Sequence, residues 1–163
     1  MKYIDDKLLN FVSEKFKDKV DKMGCPYIQH LLRVANAAAN MCYFNEETAN
    51  KLYQIGLLHD IFEDTDTTEE ELEKYVSKEI IDIVKILTRY PYNKKSIPTQ
   101  RDTYMDYIKK IANSNILAII VKLYDLKDNM DITRFDNFND ISFDLLKRYH
   151  KAYKKIAEEF KII

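Results

Sequence analysis

The sequence contains little of the glycine and proline that hairpins and tight turns need: two glycines and three prolines in 163 residues. This scarcity disfavours an all-β or turn-rich chain. Apolar residues recur instead at helical spacing, and the first stripe comprises Ile4, Leu8, Phe11, Val12 and Phe16. The length lies within the range of one domain. The sequence therefore predicts an all-α fold, a compact single-domain helical bundle spanning residues 1–163.

Cysteine, long apolar runs and net charge are also scarce. Cys25 and Cys42 lack CxxC spacing, so we expect both thiols to be reduced. Charges interrupt residues 1–16 every few positions, which excludes a signal peptide or a membrane span there and favours a cytoplasmic location. The formal net charge of −1 gives no basic field for generic nucleic-acid binding. A small anionic ligand would need local cations or a metal ion.

Apolar residues make up 46% of the chain and charged residues 33%, which suffices for a buried core and a hydrated surface. Apolar periodicity predicts helices near 4–19, 27–44, 46–62, 68–75, 77–88, 100–112, 115–131 and 142–160. Within this series, Thr68 and Glu71 have capping-box spacing, and the alanines of 27–44 favour the close approach of another helix. The segment 89–99 holds two prolines and two lysines, so it is predicted to be a long loop.

Four ionisable residues, His59, Asp60, Glu63 and Asp64, end the most hydrophobic predicted helix. Burying an unpaired carboxylate or imidazole costs several kcal/mol, so these groups need matching charges or a metal ion. One helical turn separates His59 from Glu63 and Asp60 from Asp64, and we expect all four to face one cavity.

Two further ligands lie on other apolar helices: His30 follows Ile28, and Asp125 interrupts the apolar run around Leu123 and Leu126. A lone histidine on an apolar face is more often a hydrogen-bonded core residue. The combined set of His30, His59, Asp60 and Asp125 is hard to explain by packing alone. Two imidazoles and two carboxylates suit manganese, iron or zinc better than calcium or magnesium. The sequence thus predicts a transition-metal site.

The order of these residues resembles the HD superfamily of phosphohydrolases. The surrounding segments 26–35, 57–65 and 121–130 are similar to the hydrolase domain of RelA/SpoT-type alarmone enzymes, and the resemblance covers roughly residues 5–160. It implies an HD-type bundle that uses Mn²⁺ to remove the 3′-pyrophosphate from guanosine tetra- or pentaphosphate. It also implies that His30, His59, Asp60 and Asp125 bind the metal.

The resemblance assigns the remaining roles as well. Glu63 and Asp64 would position or activate the attacking water, which agrees with the ability of a carboxylate near a metal to accept a proton. The expected substrate contacts are Lys22, Arg33, Lys122 and Asn129. The small size of the chain leaves no room for a synthetase domain.

The chain departs from the family pattern at two places. Asp21 stands where the family has a base-stacking arginine, and Asp128 stands where a histidine is usual. These changes predict weaker guanine recognition and a gain of binding on Asp21→Arg. They leave two alternatives open: hydrolysis of another nucleotide (an adenosine-type alarmone, a dNTP or a nucleoside 5′-monophosphate), and a non-catalytic nucleotide-binding or antitoxin-like protein.

Other polar and aromatic residues carry weaker signals. His150 lies in a basic segment and is expected at the surface. The tyrosines near the predicted loop, Tyr90, Tyr92 and Tyr104, are candidates for base stacking, and Lys94, Lys95 and Arg101 are candidates for a phosphate clamp. The sequence has no GxxxxGK[ST] or GxGxxG motif, which excludes folds that bind phosphate on glycine amides.

Overall fold

The computed structural model describes residues 6–42, 45–89, 104–135, 137 and 142–160. Its helices are α1 (Asp6–Lys15), α2 (Tyr27–Asn40), α3 (Glu46–Leu58), α4 (Ile61–Asp64), α5 (Glu69–Leu72), α6 (Lys78–Leu87), α7 (Tyr104–Ala112), α8 (Ile116–Met130) and α9 (Phe143–Glu159), with a 3₁₀ turn at Ile132–Arg134. Within the described residues, extended pairing is confined to one bridge between Val20 and Pro26. The predicted all-α class is confirmed. No described helix has the length and apolar content needed to cross a membrane.

Helices α2, α3 and α8 form the centre of the bundle, and α9 packs on α7 and α8. Helices α2 and α3 approach each other closely, since a Cβ atom built on Gly56 would lie 2.6 Å from the Cα of Ala35. Only glycine permits this spacing, since real Cβ contacts are longer. The expectation that small residues in α2 allow close helix packing is therefore confirmed.

One hydrophobic cluster extends from Leu8 in α1 to Ile156 in α9. Core residues from both ends of the described chain thus share one interior. This continuity supports the single-domain organisation, which stays a prediction for 1–163. The predicted capping box is confirmed, because Thr68 accepts from the Glu71 amide while the Glu71 carboxylate accepts from the Thr68 amide.

Two helices end four residues earlier than their apolar periodicity predicts, and the helix predicted near 68–75 ends at Leu72. The first ends at Lys15 instead of residue 19, because the chain turns back so that the amide of Tyr27 donates to the carbonyl of Lys19 at 2.9 Å. The second ends at Asn40 instead of residue 44. The predicted loop 89–99 lies outside the described residues except for Arg89.

The predicted continuous helix 46–62 is wrong. Helix α3 ends at Leu58, and Asp60 adopts φ −106° and ψ 5°, a bridge-region conformation, before α4 begins at Ile61. The residues on either side of the break, Leu58 and Ile61, are both apolar and buried in the core. Apolar periodicity alone therefore does not reveal the break. His59 keeps helical backbone angles, and Asp60 leaves them, so that both side chains lie beside residues of α2 and α8.

Candidate metal centre

Two histidines from different helices point their Nε2 atoms at the same place. The Nδ1 atom of His30, in α2, lies 2.6 Å from Asp128 Oδ2, and Nδ1 of His59 lies 2.7 Å from the Gly56 carbonyl oxygen. A carbonyl oxygen only accepts, so His59 donates from Nδ1 and leaves Nε2 without a proton in the neutral ring. Acceptors at Nδ1 that free Nε2 for an ion are typical of metal-ligating histidines.

Two carboxylates complete the group. Oδ2 of Asp60 lies 3.1 Å from His59 Nε2 and 3.8 Å from His30 Nε2. Oδ1 of Asp125, from α8, lies 3.4 Å from His30 Nε2 and 3.6 Å from His59 Nε2. The structure therefore brings together all four residues that the sequence predicts as ligands, from α2, the α3–α4 break and α8.

The donor atoms of this group fit a metal ion. Nε2 of His59 is buried and has no hydrogen-bond partner among the described residues, although two carboxylate oxygens lie close to it. An orphaned buried nitrogen is costly unless another species satisfies it. The ligand atoms of His30, His59 and Asp60 lie within 4.8 Å of one another. A mixed nitrogen and oxygen set of this size suits a divalent transition metal.

Neighbouring groups hold the two carboxylates in place. The hydroxyl of Tyr27 donates to Asp60 Oδ2 at 2.6 Å, and Lys122 Nζ lies 2.7 Å from Asp125 Oδ2. Asn129 Nδ2 donates to Asp125 Oδ1 at 2.5 Å. Each predicted ligand that carries a negative charge therefore also has a fixed partner, which reduces the freedom of its side chain.

The charges of neighbouring side chains determine the protonation states of the predicted ligands. Burial by itself raises the pKa of the Asp60 carboxyl, but the adjacent His59 outweighs it and brings that pKa to about 2. Burial lowers the pKa of His59, and the charges of Asp60 and Asp125 overcome this effect and raise it well above its usual value. These interactions favour ionised carboxylates at Asp60 and Asp125, whose pKa is likewise lowered by neighbouring cations, beside a protonated His59 imidazole.

Glu63 and Asp64 occupy different environments, so the expectation that they face one cavity together with His59 and Asp60 is not met. Glu63 lines the cavity beside the metal group, and its carboxylate accepts a hydrogen bond from the Arg89 amide. Asp64 lies outside the wall formed by the described residues. Burial raises the pKa of both carboxyl groups, and the charge of Asp60 adds to this effect.

A cavity of about 270 Å³ opens over the metal group. Its described wall contains five cationic side chains, Lys22, Arg89, Lys122, Arg134 and Arg148, and four tyrosines, Tyr27, Tyr104, Tyr107 and Tyr149. Cations attract phosphate oxygens, and aromatic rings offer faces for a planar base. The cavity is therefore suited to a phosphorylated ligand with an aromatic part.

Three of the four predicted substrate contacts line this cavity. Lys22 and Asn129 bond to each other, with Nζ 3.2 Å from Oδ1, and Lys22 also donates to the hydroxyl of Tyr149. Lys122 reaches the cavity while paired with Asp125. Arg33 lies outside the described wall, since its guanidinium binds Asp128 from Nε at 2.7 Å.

Arg134, Arg148 and Tyr149 are among the cavity residues that the sequence analysis missed. Arg148 and Tyr149 belong to α9, whose basic composition favours a solvent-exposed helix, and Arg148 stacks over Tyr104 at 5.0 Å from the ring centroid. Arg134 ends a 3₁₀ turn that lies outside the segments on which the sequence resemblance rests. The only sequence signal was the tyrosine beside arginine on one helix, and it does not indicate which face meets the cavity.

A smaller cavity of about 140 Å³ adjoins the first and shares Lys22, Asn129 and Tyr149 with it. The remainder of its wall is largely apolar and includes Phe135, Leu145 and Leu146. The two cavities thus combine a cationic chamber above the metal group with an apolar recess. This division matches a ligand with a phosphate end and a flat, less polar end.

The other predictions have mixed outcomes. His150 is exposed and both cysteines are free, as expected. Tyr104 lines the cavity, in agreement with its proposed position near the ligand. Tyr90, Tyr92, Lys94, Lys95 and Arg101 lie outside the described residues, so base stacking and the phosphate clamp there stay predictions.

The amino-acid sequence is similar to a known domain family and to several known proteins. Residues 27–138 match the family model described as the HD domain. The chain is 33% identical over 125 residues to the guanosine-3′,5′-bis(diphosphate) 3′-pyrophosphohydrolase MESH1 of Danio rerio, covering 74% of this chain and 66% of that protein. It is 31% identical over 124 residues to the Xenopus tropicalis protein of the same name, covering 73% and 65% of the two chains.

A bacterial relative is also similar in sequence, and a solved structure is similar in fold. The guanosine-3′,5′-bis(diphosphate) 3′-pyrophosphohydrolase of Spiroplasma citri is 33% identical over 127 residues, which are 76% of this chain and 16% of that protein. A solved structure of a metazoan SpoT ortholog, described as hydrolysing ppGpp, superposes with a TM-score of 0.72 at 23% identity, covering 97% of this chain and 84% of that one. The chain spans just under two thirds of the length of the two vertebrate relatives.

Proposed function

Because the chain belongs to the HD domain family, we propose that it is a metal-dependent phosphohydrolase that removes the 3′-pyrophosphate of guanosine tetra- or pentaphosphate. The observation that carries this proposal is the convergence of His30, His59, Asp60 and Asp125 at the floor of a cation-lined cavity. The relatives named for this hydrolysis support the choice of substrate.

The metal ligands in this proposal are His30, His59, Asp60 and Asp125, and Mn²⁺ is the ion. When bound, a divalent ion polarises phosphoryl oxygens and activates water. Tyr27 keeps the Asp60 carboxylate aimed at the site, because burial and the charge of Asp60 raise the pKa of its hydroxyl and keep it a donor. Lys122 and Asn129 fix Asp125 in the same way.

Glu63 is the proposed proton acceptor for the attacking water. Its carboxylate lines the cavity wall one turn after Asp60, and burial raises its pKa toward the range in which a carboxylate is an effective base. The Arg89 amide donates to this carboxylate and orients it. Asp64, which lies outside the described wall, acts less directly, and its negative charge raises the proton affinity of its neighbours.

Substrate binding is divided between the two cavities. The cationic side chains of Lys22, Lys122 and Arg148 neutralise phosphate oxygens in the larger cavity. The nucleoside extends past Asn129 toward the apolar recess that includes Phe135. This division explains how a chain with a net charge of −1 could hold a polyanionic nucleotide.

A nucleotide panel tests the proposal. The purified protein is incubated with Mn²⁺ and guanosine tetraphosphate, its adenosine counterpart, a dNTP or a nucleoside 5′-monophosphate, and released pyrophosphate and phosphate are measured. We expect pyrophosphate and GDP from guanosine tetraphosphate and no product in EDTA. Hydrolysis of a different nucleotide alone would replace the substrate, and binding without turnover of any nucleotide would favour the non-catalytic alternative.

A further inference from the structure

Asp128 contacts both the metal group and Arg134, an arginine that lines the larger cavity. Its carboxylate is nearly buried, with 10% of the side chain exposed, and follows the ligand Asp125 by three residues on α8. It lies behind the imidazole of His30, with Oδ2 2.6 Å from Nδ1. The same carboxylate receives hydrogen bonds from Arg33 and Arg134. The residue therefore joins a proposed metal ligand to two arginines.

The contact with His30 determines which nitrogen is available to a metal. A carboxylate that accepts from Nδ1 fixes the tautomer and the orientation of the ring and leaves Nε2 as the ligand atom. His59 has only a backbone carbonyl, of Gly56, at the equivalent position. Of the two histidines in the metal group, His30 is thus the one whose Nδ1 is held by a carboxylate, that of Asp128.

The contact with Arg134 determines the shape of the cavity wall. Nη1 of Arg134 donates to Asp128 Oδ2 at 2.7 Å and to the Asp128 carbonyl at 3.0 Å, while Nη2 binds Asp21. Guanidinium hydrogen bonds lie in the plane of the group, so its edges are held and its flat face remains for a ligand. Arg134 lines the larger cavity, and the next residue, Phe135, lines the apolar recess. Arg134 consequently lies at the border between the two cavities.

We propose that Arg134 binds the nucleotide at the border between the cavities, and that Asp128 is a positioning residue that orients both His30 for the metal and Arg134 for the nucleotide. The identity of the nucleotide rests on the proposed function, whereas the metal half of the inference does not depend on it. The arrangement predicts that one carboxylate affects two binding events, and that Arg134 affects only one.

The experiment compares Asp128→Asn, Arg134→Gln and the double variant with the wild-type protein. Asp66→Asn is the matched control, because Asp66 is also ion-paired but lies at the surface against Lys15. Binding of Mn²⁺ alone is titrated first, and binding of GDP and of ADP to the Mn²⁺-saturated proteins second. Circular dichroism verifies the helical fold of each variant.

We expect Asp128→Asn to weaken Mn²⁺ binding by roughly 10- to 100-fold and to weaken nucleotide binding as well. Arg134→Gln should leave Mn²⁺ binding unchanged and weaken nucleotide binding by about fivefold. The loss of nucleotide affinity in the double variant should be smaller than the sum of the two single losses, because Asp128 acts on the nucleotide through Arg134. Asp66→Asn should match the wild type in every titration.

Three results would overturn the inference: unchanged Mn²⁺ affinity in Asp128→Asn, unchanged nucleotide affinity in Arg134→Gln, or full additivity in the double variant. If Asp128→Asn does not fold, Asp128→Glu retains the charge, displaces the carboxylate and should show the same double loss. A wild-type protein that binds Mn²⁺ but hydrolyses no guanosine tetraphosphate counts against the proposed function only, since these titrations require no turnover.

Discussion

The imidazole of His59 determines what the site can do chemically. Its Nδ1 proton is bound by the Gly56 carbonyl, its Nε2 is buried without a hydrogen-bond partner among the described residues, and the side chain is 2% exposed. A nitrogen in this state has two stable outcomes, a proton shared with Asp60 or a metal ion. Both outcomes need the carboxylates, so the four proposed ligands form one unit.

Removal of one ligand should therefore abolish metal binding while the fold remains. We expect His59→Ala and Asp60→Ala to lose Mn²⁺ and all hydrolysis but to keep the helical circular-dichroism spectrum, because packing of the apolar core does not depend on the ion. Metal content by elemental analysis and pyrophosphate release are the two measurements. A metal-replete, fully active Asp60→Ala protein would disprove the site.

Glu63→Gln should separate catalysis from metal binding. The amide cannot accept a proton, so we expect turnover to fall by about 10²- to 10⁴-fold with nearly unchanged metal content. Since burial raises the pKa of the Glu63 carboxyl, its base form is lost at a higher pH than in an ordinary glutamate, and the acidic limb of the wild-type pH–rate profile should be shifted toward higher pH. Loss of the metal from Glu63→Gln would instead make Glu63 a ligand.

At the scale of elements, the metal group depends on the distance between α2 and α3. His30 lies on α2 and His59 directly follows α3, and the two helices approach each other closely at Gly56 and Ala35. The sequence predicted both helices from apolar periodicity and the small residues of α2. It could not predict the break after Leu58, because the side chains on both sides of the break are equally buried and apolar.

Gly56→Ala tests this spacing. Alanine favours an isolated helix, but here its Cβ would lie 2.6 Å from Ala35 Cα, so the helices must separate. We expect the free energy of unfolding to fall by about 1–3 kcal/mol and Mn²⁺ affinity to decrease, since His59 moves relative to His30. Urea unfolding and Mn²⁺ titration are the measurements.

The control for Gly56→Ala is Asn50→Ala, at an exposed position of the same helix. It gains helix propensity without a clash and should leave both the stability and the metal affinity no lower than in the wild type. Equal stability of Gly56→Ala and Asn50→Ala would show that the close approach of α2 and α3 is not needed to hold the site.

At the scale of the whole molecule, metal binding should stabilise the fold. The ligands come from α2, the α3–α4 break and α8, so a bound ion links three parts of the bundle, and an ion that binds only the folded state stabilises it by mass action. At a free Mn²⁺ concentration one hundred times the dissociation constant, we expect a gain of about 2.7 kcal/mol. Urea unfolding with Mn²⁺ and with EDTA measures it, and Asp125→Asn should show a far smaller difference between the two.

The sequence predicts the metal ligands better than it predicts the residues of the cavity wall. The ligands could be predicted because each places a costly polar group on an apolar helix, which is visible along the chain. Arg134, Arg148 and Tyr149 interrupt no apolar pattern. Arg148 and Tyr149 reach the cavity because α9 packs on α8, and Arg134 reaches it from the 3₁₀ turn that follows α8. Arg33 lies in a segment that matches the family and was therefore expected to contact the substrate. It is bound by Asp128 instead, which the sequence could not reveal.

Asp21 illustrates the same limit and gives the last prediction. From sequence alone, Asp21→Arg is expected to restore a base-stacking arginine. In the structure the Asp21 carboxylate is 8% exposed, and its Oδ2 binds Arg134 and lies 3.8 Å from Arg33 Nη2. Its Oδ1 accepts from the amides of Met23 and Cys25 at 2.9 and 3.0 Å. The residue thus caps the turn before α2 and neutralises two guanidinium groups.

An arginine at this position would bring a third guanidinium beside Arg33 and Arg134 and would remove the acceptor for two turn amides. Breaking a buried ion pair costs about 3–5 kcal/mol, so we expect Asp21→Arg to be less stable and to bind guanosine tetraphosphate more weakly. Asp21→Asn retains an acceptor for the amides and should lie between Asp21→Arg and the wild type. Urea unfolding and the dissociation constants for guanosine tetraphosphate are measured for the three proteins. Tighter binding by a stable Asp21→Arg protein would mean that Arg134 moves aside readily. The expectation from sequence would then be correct.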